Sequence, residues 1–139
     1  MSKLVNKTIN NIMIKNFLII NCTGKNNIIV LKINNNFFFK KLQTNLRSNE
    51  TLVNNISNFI KQKKANIDKN FSVIVNLGPG SFSGIRISLS VAKGIKITTG
   101  AKLYGFRDQD LASFNAKNIE LLIKKKLLQN NLIKPVYLS

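Results

Sequence analysis

The stretch Phe71-Ser-Val-Ile-Val-Asn-Leu77 constrains the fold more than any other part of this chain. It is a nearly continuous apolar run, cut off by Gly78-Pro79-Gly80 and followed by a helix-like segment from about Ser81 to Thr98. A strand of that kind must be covered on both faces, so it predicts a sheet with helices packed on it. The flanking segments extend the pattern. Phe17 to Asn21 and Ile28 to Ile33 are short β-branched runs separated by Gly24 and Asn26-Asn27, and a second polar break at Asn34-Asn35 leads into Asn36 to Leu42. Three strands joined by tight turns form an antiparallel meander.

A helix follows the meander. From Ser48, placed to cap, the apolar residues Leu52, Val53, Ile56, Phe59 and Ile60 fall in one stripe at the helical period, with Glu50 in the first turn. After the helix from Ser81 come Gly100, a short strand Lys102 to Phe106, and a helix expected from Asp108 through Phe114. Asp108 and Asp110 read there as capping and first-turn acids. A last amphipathic helix, roughly Asn118 to Leu128, carries Ile119, Leu122, Ile123 and Leu127 on one face and Lys124 to Lys126 as a solvated basic cluster. The order predicts an α/β domain with a mixed sheet: a three-strand antiparallel meander followed by α-β-α-β-α, of the ribonuclease H-like or actin-like type. Residues 1–12 read as a loose tail, or as a start placed ahead of the one at Met13. Residues 13–115 read as the domain, and 116–139 as a helix and closing segment.

Composition narrows the chemistry. The 139 residues hold no histidine, one cysteine (Cys22) and five acids (Glu50, Asp68, Asp108, Asp110, Glu120). Histidine-based triads, His/Cys metal sites and internal disulfides are therefore excluded, and no metal-ligand set is expected. Cys22 has no histidine to act as its base and reads as buried and inert. The acids are also too few, and too scattered, for the paired-metal chemistry of ribonuclease H-like nucleases, and Asn21 stands at the end of the first strand. Lys and Arg number 22, for a net charge of +17, but arginine occurs only at 47, 86 and 107. Lys, Asn, Ile and Phe make up about half the chain, a compositional drift that spreads lysine over any solvated surface. The charge reads as a basic coat with weak phosphate affinity rather than a selected phosphate reader. Neither a membrane-length apolar run nor a signal-type segment is apparent, so a cytoplasmic protein without a membrane partner is expected.

The segment from Leu77 to Gly94, LGPGSFSGIRISLSVAKG, carries the most information. A strand, a glycine turn and the free amides of a helix start can together hold an anion; equally, Gly78 and Gly80 can serve only to turn the chain tightly. The segment is neither a Walker loop nor a dinucleotide fingerprint. In the helix, Ile85, Leu89 and Ala92 form one apolar stripe, and Ile87, Val91 and Ile95 with Gly84, Ser88 and Gly94 form another. Only Arg86, Ser90 and Lys93 are left as a polar arc. One sheet does not cover both stripes, so either the first helix of the chain or another protein covers the rest. The reading taken is a partner surface built from both helices, through Leu52, Ile56, Gly84, Ile87, Ser88, Val91 and Ile95. Arg86, one turn into the second helix, is expected to make a structural or interface bond.

The run Gly78-Pro79-Gly80-Ser81-Phe82-Ser83-Gly84-Ile85-Arg86, continued by Ala92-Lys93-Gly94, resembles the signature of the TsaB (YeaZ) family, Gly-Pro-Gly-Ser-Phe-Thr-Gly-Leu-Arg followed by Ala-Lys-Gly. The first strand and meander resemble the family more weakly, as does Pro135-Val-Tyr-Leu138, which is similar to its closing motif. The resemblance implies an actin-like N-terminal domain and a second lobe much shortened here, with residues 116–139 as its remnant. It also implies a non-catalytic scaffold in the machinery that places threonylcarbamoyl on transfer RNA. In that family the subunit pairs, through helices of its N-terminal domain, with a metal-bearing catalytic paralogue, TsaD, and works with an ATPase, TsaE. Transfer RNA is met through the complex, and ATP and metal belong to the complex rather than to this chain alone. A homodimer is the other pairing such a surface allows. The chain departs from the family at Asn21-Cys22-Thr23, where Asp-Thr-Ser is common, and at Arg47-Ser48, where His-Ser is common. Two other functions compete with this one: an autonomous basic RNA-binding module, and a degenerate nucleotide-binding actin-like enzyme using the Gly78 to Gly84 loop.

Overall fold

A computed structural model describes residues 14–130 of the chain. The tail at 1–12, Met13 and the motif at 135–138 lie outside the described residues. Five strands form one sheet in the order β3-β2-β1-β4-β5, where β1 is Phe17–Asn21, β2 Ile28–Ile33, β3 Asn36–Lys41, β4 Ser72–Asn76 and β5 Lys102–Phe106. The first three are antiparallel, and β4 and β5 run parallel to β1. This is the mixed sheet the sequence predicts. The meander closes where expected, with Asn34 and Asn35 both at positive φ, 50° and 69°, in the two-residue turn between β2 and β3. Every residue of β1 and of β4 is buried.

Three α-helices cover the sheet: α1 is Asn49–Gln62, α2 Phe82–Thr99 and α3 Ala116–Lys124. Alternation along the strands splits the core in two. Leu18, Ile20, Ile29, Leu31, Val73 and Val75 face α1 and α2, which also pack on each other. Phe17, Ile19, Ile28, Val30 and Ile74 face Ile119 and Leu122 of α3. The segment that begins at 116 thus shares the core of the sheet. Caps define the helix starts: the side chains of Ser48, Ser81 and Asn115 accept from the backbone amides of Thr51, Gly84 and Asn118.

Two expectations are corrected. The helix expected from Asp108 through Phe114 is one 3-10 turn, Asp108–Asp110, after which Leu111 is extended and buried. Asp108 does not cap that turn with its side chain, because its carboxylate is engaged by a strand residue described below. The last helix starts at Ala116 and ends at Lys124 rather than running to Leu128. Lys126 takes φ 59° and the Leu127 amide donates to the Leu122 carbonyl, the closure that ends a helix with a left-handed residue. Lys124 to Lys126 therefore stand at the helix C-terminus, where cations are favoured by the dipole, and do not form a helix face.

Candidate functional site

The carboxyl ends of β1, β4 and β5 lie side by side, the place where parallel sheets with helical crossovers hold their chemistry. Here that place is closed by amides. Asn76, fully buried at the end of β4, donates from Nδ2 to Asn21 Oδ1 at 2.7 Å and to Asp108 Oδ1 at 3.0 Å. Its Oδ1 accepts from the Gly78 amide at 2.9 Å, and Asn21 Nδ2 donates to the Asn26 carbonyl at 2.7 Å. Both donors and the acceptor of Asn76 are thus used. The network leaves one carboxylate, Asp108, and it is already an acceptor. Next in the chain after Asn21, burial pushes the Cys22 thiol up to about 12, so the thiol stays protonated and is a poor nucleophile at neutral pH. No cluster of three or more His, Cys, Asp or Glu side chains suited to a metal occurs among the described residues.

The glycine loop packs on the end of β1. Gly78 has φ 94°, which favours glycine, and its carbonyl accepts from the Asp108 amide at 2.8 Å. At Gly80 a Cβ would stand 2.7 Å from the Thr23 Cβ and 2.9 Å from the Thr23 carbonyl oxygen. The Ser81 amide donates to that same carbonyl, and the Gly84 amide donates to Ser81 Oγ. A Cβ at Gly84 would collide with the carbonyl of Cys22. The amides of Gly78, Ser81 and Gly84 thus all serve the joint between β4, α2 and β1. Of the two readings open for Gly78 and Gly80, the geometry fits the tight turn.

Outside that joint, Pro79 is half-buried and Phe82, Ser83 and Arg86 are exposed. The Arg86 guanidinium lies 5.9 Å from the Phe82 ring centroid, one turn back on α2, and borders a polar groove with Arg47, Ser48, Asn49, Ser83 and Ser90.

The partner face expected on the helices is only partly at the surface. Leu52, Gly84, Ile87 and Ser88 are buried within the chain itself: Leu52 and Ile87 share the core where α1 lies against α2, and Gly84 is pressed on the carbonyl of Cys22. Gly94, expected to admit a close neighbour, has nothing within 4 Å of a Cβ position. What stays open is an apolar groove of ≈ 200 Å³ between the two helices. Ile56 and Val91 form its buried floor, and Val53, Ile60, Ile67, Ile95 and Thr99 also line it. Val53 is 46% exposed. Its role was readable in part: Val53 and Ile60 lie roughly 80–100° around α1 from Leu52, at the far edge of a stripe too wide for one neighbour.

No family model matches the sequence, and no curated protein does. Solved structures do match. YeaZ from Pseudomonas aeruginosa superposes with a TM-score of 0.63 at 15% identity, covering 71% of this chain and 47% of that one. The chain shares the YeaZ fold. A protein described as uncharacterized, with similarity to peptidase YeaZ from the same organism, superposes with a TM-score of 0.62 at 16% identity, over 71% of this chain and 46% of the other. The chain thus spans about half the length of the YeaZ structures it matches. The likeness bears out the mixed-sheet α/β architecture expected from the order of strands and helices. No helix among the described residues is long and apolar enough to cross a membrane.

Proposed function

We propose that this chain is a TsaB-type scaffold: a non-catalytic, cytoplasmic subunit of the machinery that places threonylcarbamoyl on transfer RNA. It docks on a TsaD-like catalytic paralogue, and a TsaE-like ATPase and transfer RNA join through the resulting complex. Metal and ATP are the business of that complex.

The observation that carries this reading is the apolar groove between α1 and α2, open at Val53. It lies on the helices that the resemblance assigns to pairing. The closed network at the strand ends supports the same reading, since Asn21 and Asn76 are spent on each other and on the backbone and Asp108 is the one acid in it. The shared YeaZ fold and the signature from Gly78 to Gly94 add to it.

Co-expression with the paralogue tests the proposal. Val53→Asp places a charge in the mouth of the groove at a half-exposed position, so the subunit folds but no longer co-purifies with the paralogue. A folded Val53→Asp subunit that is retained as well as wild type contradicts the docking face. A wild-type subunit that never associates contradicts the scaffold itself.

A further inference from the structure

The face of the sheet opposite α1 and α2 ends in a strip along β2 and β3 that no helix among the described residues covers. β3 is an edge strand, paired only with β2 among the described residues. On its outward positions Phe37 and Phe39 stack, with ring centroids 6.2 Å apart and planes 15° apart, and Phe39 is 43% exposed. Lys32, opposite Phe37 in the register, holds its ammonium 5.3 Å from that ring's centroid. Lys32 also borders a depression of ≈ 430 Å³ with Lys124 and Lys126 at the end of α3, and with Glu120, the one acid there. Lys41 continues the row of outward positions on β3, two residues beyond Phe39.

We propose that this strip binds single-stranded RNA. A base has a π-face to lay on an exposed ring, and phosphates on either side meet lysines; this pairing of aromatic platform and cationic flank is how strand surfaces take single strands without reading sequence. An acidic protein segment would answer the lysines but gain nothing from the open face of Phe39. A duplex keeps its bases stacked and cannot offer one. The outer backbone of the β3 edge lies beside the rings, and the ribose 2′-hydroxyl, both donor and acceptor, can meet either kind of backbone group, which deoxyribose cannot. The inference does not rest on pairing with the paralogue.

Fluorescence anisotropy with the full chain and a labelled single-stranded RNA 12-mer provides the test, with the fold of each variant checked by circular dichroism. Phe39→Leu keeps an apolar, half-exposed residue and lowers affinity roughly tenfold. Lys124→Gln with Lys126→Gln lowers it and flattens the salt dependence, whereas Lys93→Gln with Lys96→Gln on the exposed side of α2 leaves it near wild type. The single strand binds more tightly than a duplex, than DNA of the same sequence and than polyglutamate. Unchanged affinity in Phe39→Leu, equal losses from both lysine pairs, or no binding at 50 mM salt overturns the proposal. Equal affinity for the duplex or for polyglutamate removes the stacking platform, and equal affinity for DNA removes the choice of RNA.

Discussion

At Gly84 the backbone of α2 presses on the carbonyl of Cys22, while at Gly94, on the same helix, an added methyl would meet nothing within 4 Å. The two ends of α2 differ in the same way as a whole. Its first turn is a joint, with the amides of Ser81 and Gly84 engaged and the loop held against Thr23. Its second half, from Val91 to Thr99, shares with α1 a groove that the described residues leave open. The glycines at 80 and 84 are thus explained by close approach to Thr23 and Cys22, whereas the open apolar groove lies further along, on side chains with no distinctive motif.

The sharpest way to break this comparison is Gly84→Ala. Its Cβ meets backbone rather than a flexible side chain, so β1 and α2 must separate, and we expect a loss of about 3 kcal/mol or more in urea unfolding. Val91→Asp and Val53→Asp sharpen it within the groove itself. The first buries a carboxylate in the floor and costs about 3 kcal/mol, while the second, at the rim, stays within ~0.5 kcal/mol of wild type by the same measurement. Asn76→Ala probes the closed strand ends: it strands Asn21 Oδ1 and the Gly78 amide, for a loss of roughly 1–3 kcal/mol by thermal or urea unfolding. The smallest effect has the opposite sign. Gly94→Ala, on an exposed helical position with free space, stabilises by about 0.5–1 kcal/mol, seen as a higher urea midpoint.

Much of the fold was legible because it rests on local periodicity. The apolar strand runs, the Asn34-Asn35 turn, the cap at Ser48 and the helix start near Ser81 each follow from residues close in sequence. What was not legible depends on distant partners. Asp108 looks like a helix start, but Asn76 holds its side chain and Gly78 its amide, and Leu111 turns into the core instead of continuing a helix. The small residues of α2 suggested a close helix neighbour, yet Gly84 meets a strand end and Gly94 meets nothing. The seven helix positions named as a partner face follow from helical spacing alone, but burial depends on which neighbour reaches each stripe first. The packing of α1 on α2 takes Leu52 and Ile87 inward and leaves Val53 at the mouth. The tripartite amide network of Asn21, Asn76 and Asp108 joins residues far apart in sequence, and no spacing rule announces it.

The central claim is that this chain acts through its helix groove and not through its strand-end residues. Titrating a TsaD-like paralogue into folded Val53→Asp and folded Asn76→Ala variants, with heat as the readout, tests it most directly. The account predicts at least about a tenfold loss of affinity for Val53→Asp and near wild-type binding for Asn76→Ala. Wild-type affinity in Val53→Asp together with loss in Asn76→Ala would place the working surface at the other end of the sheet and contradict it.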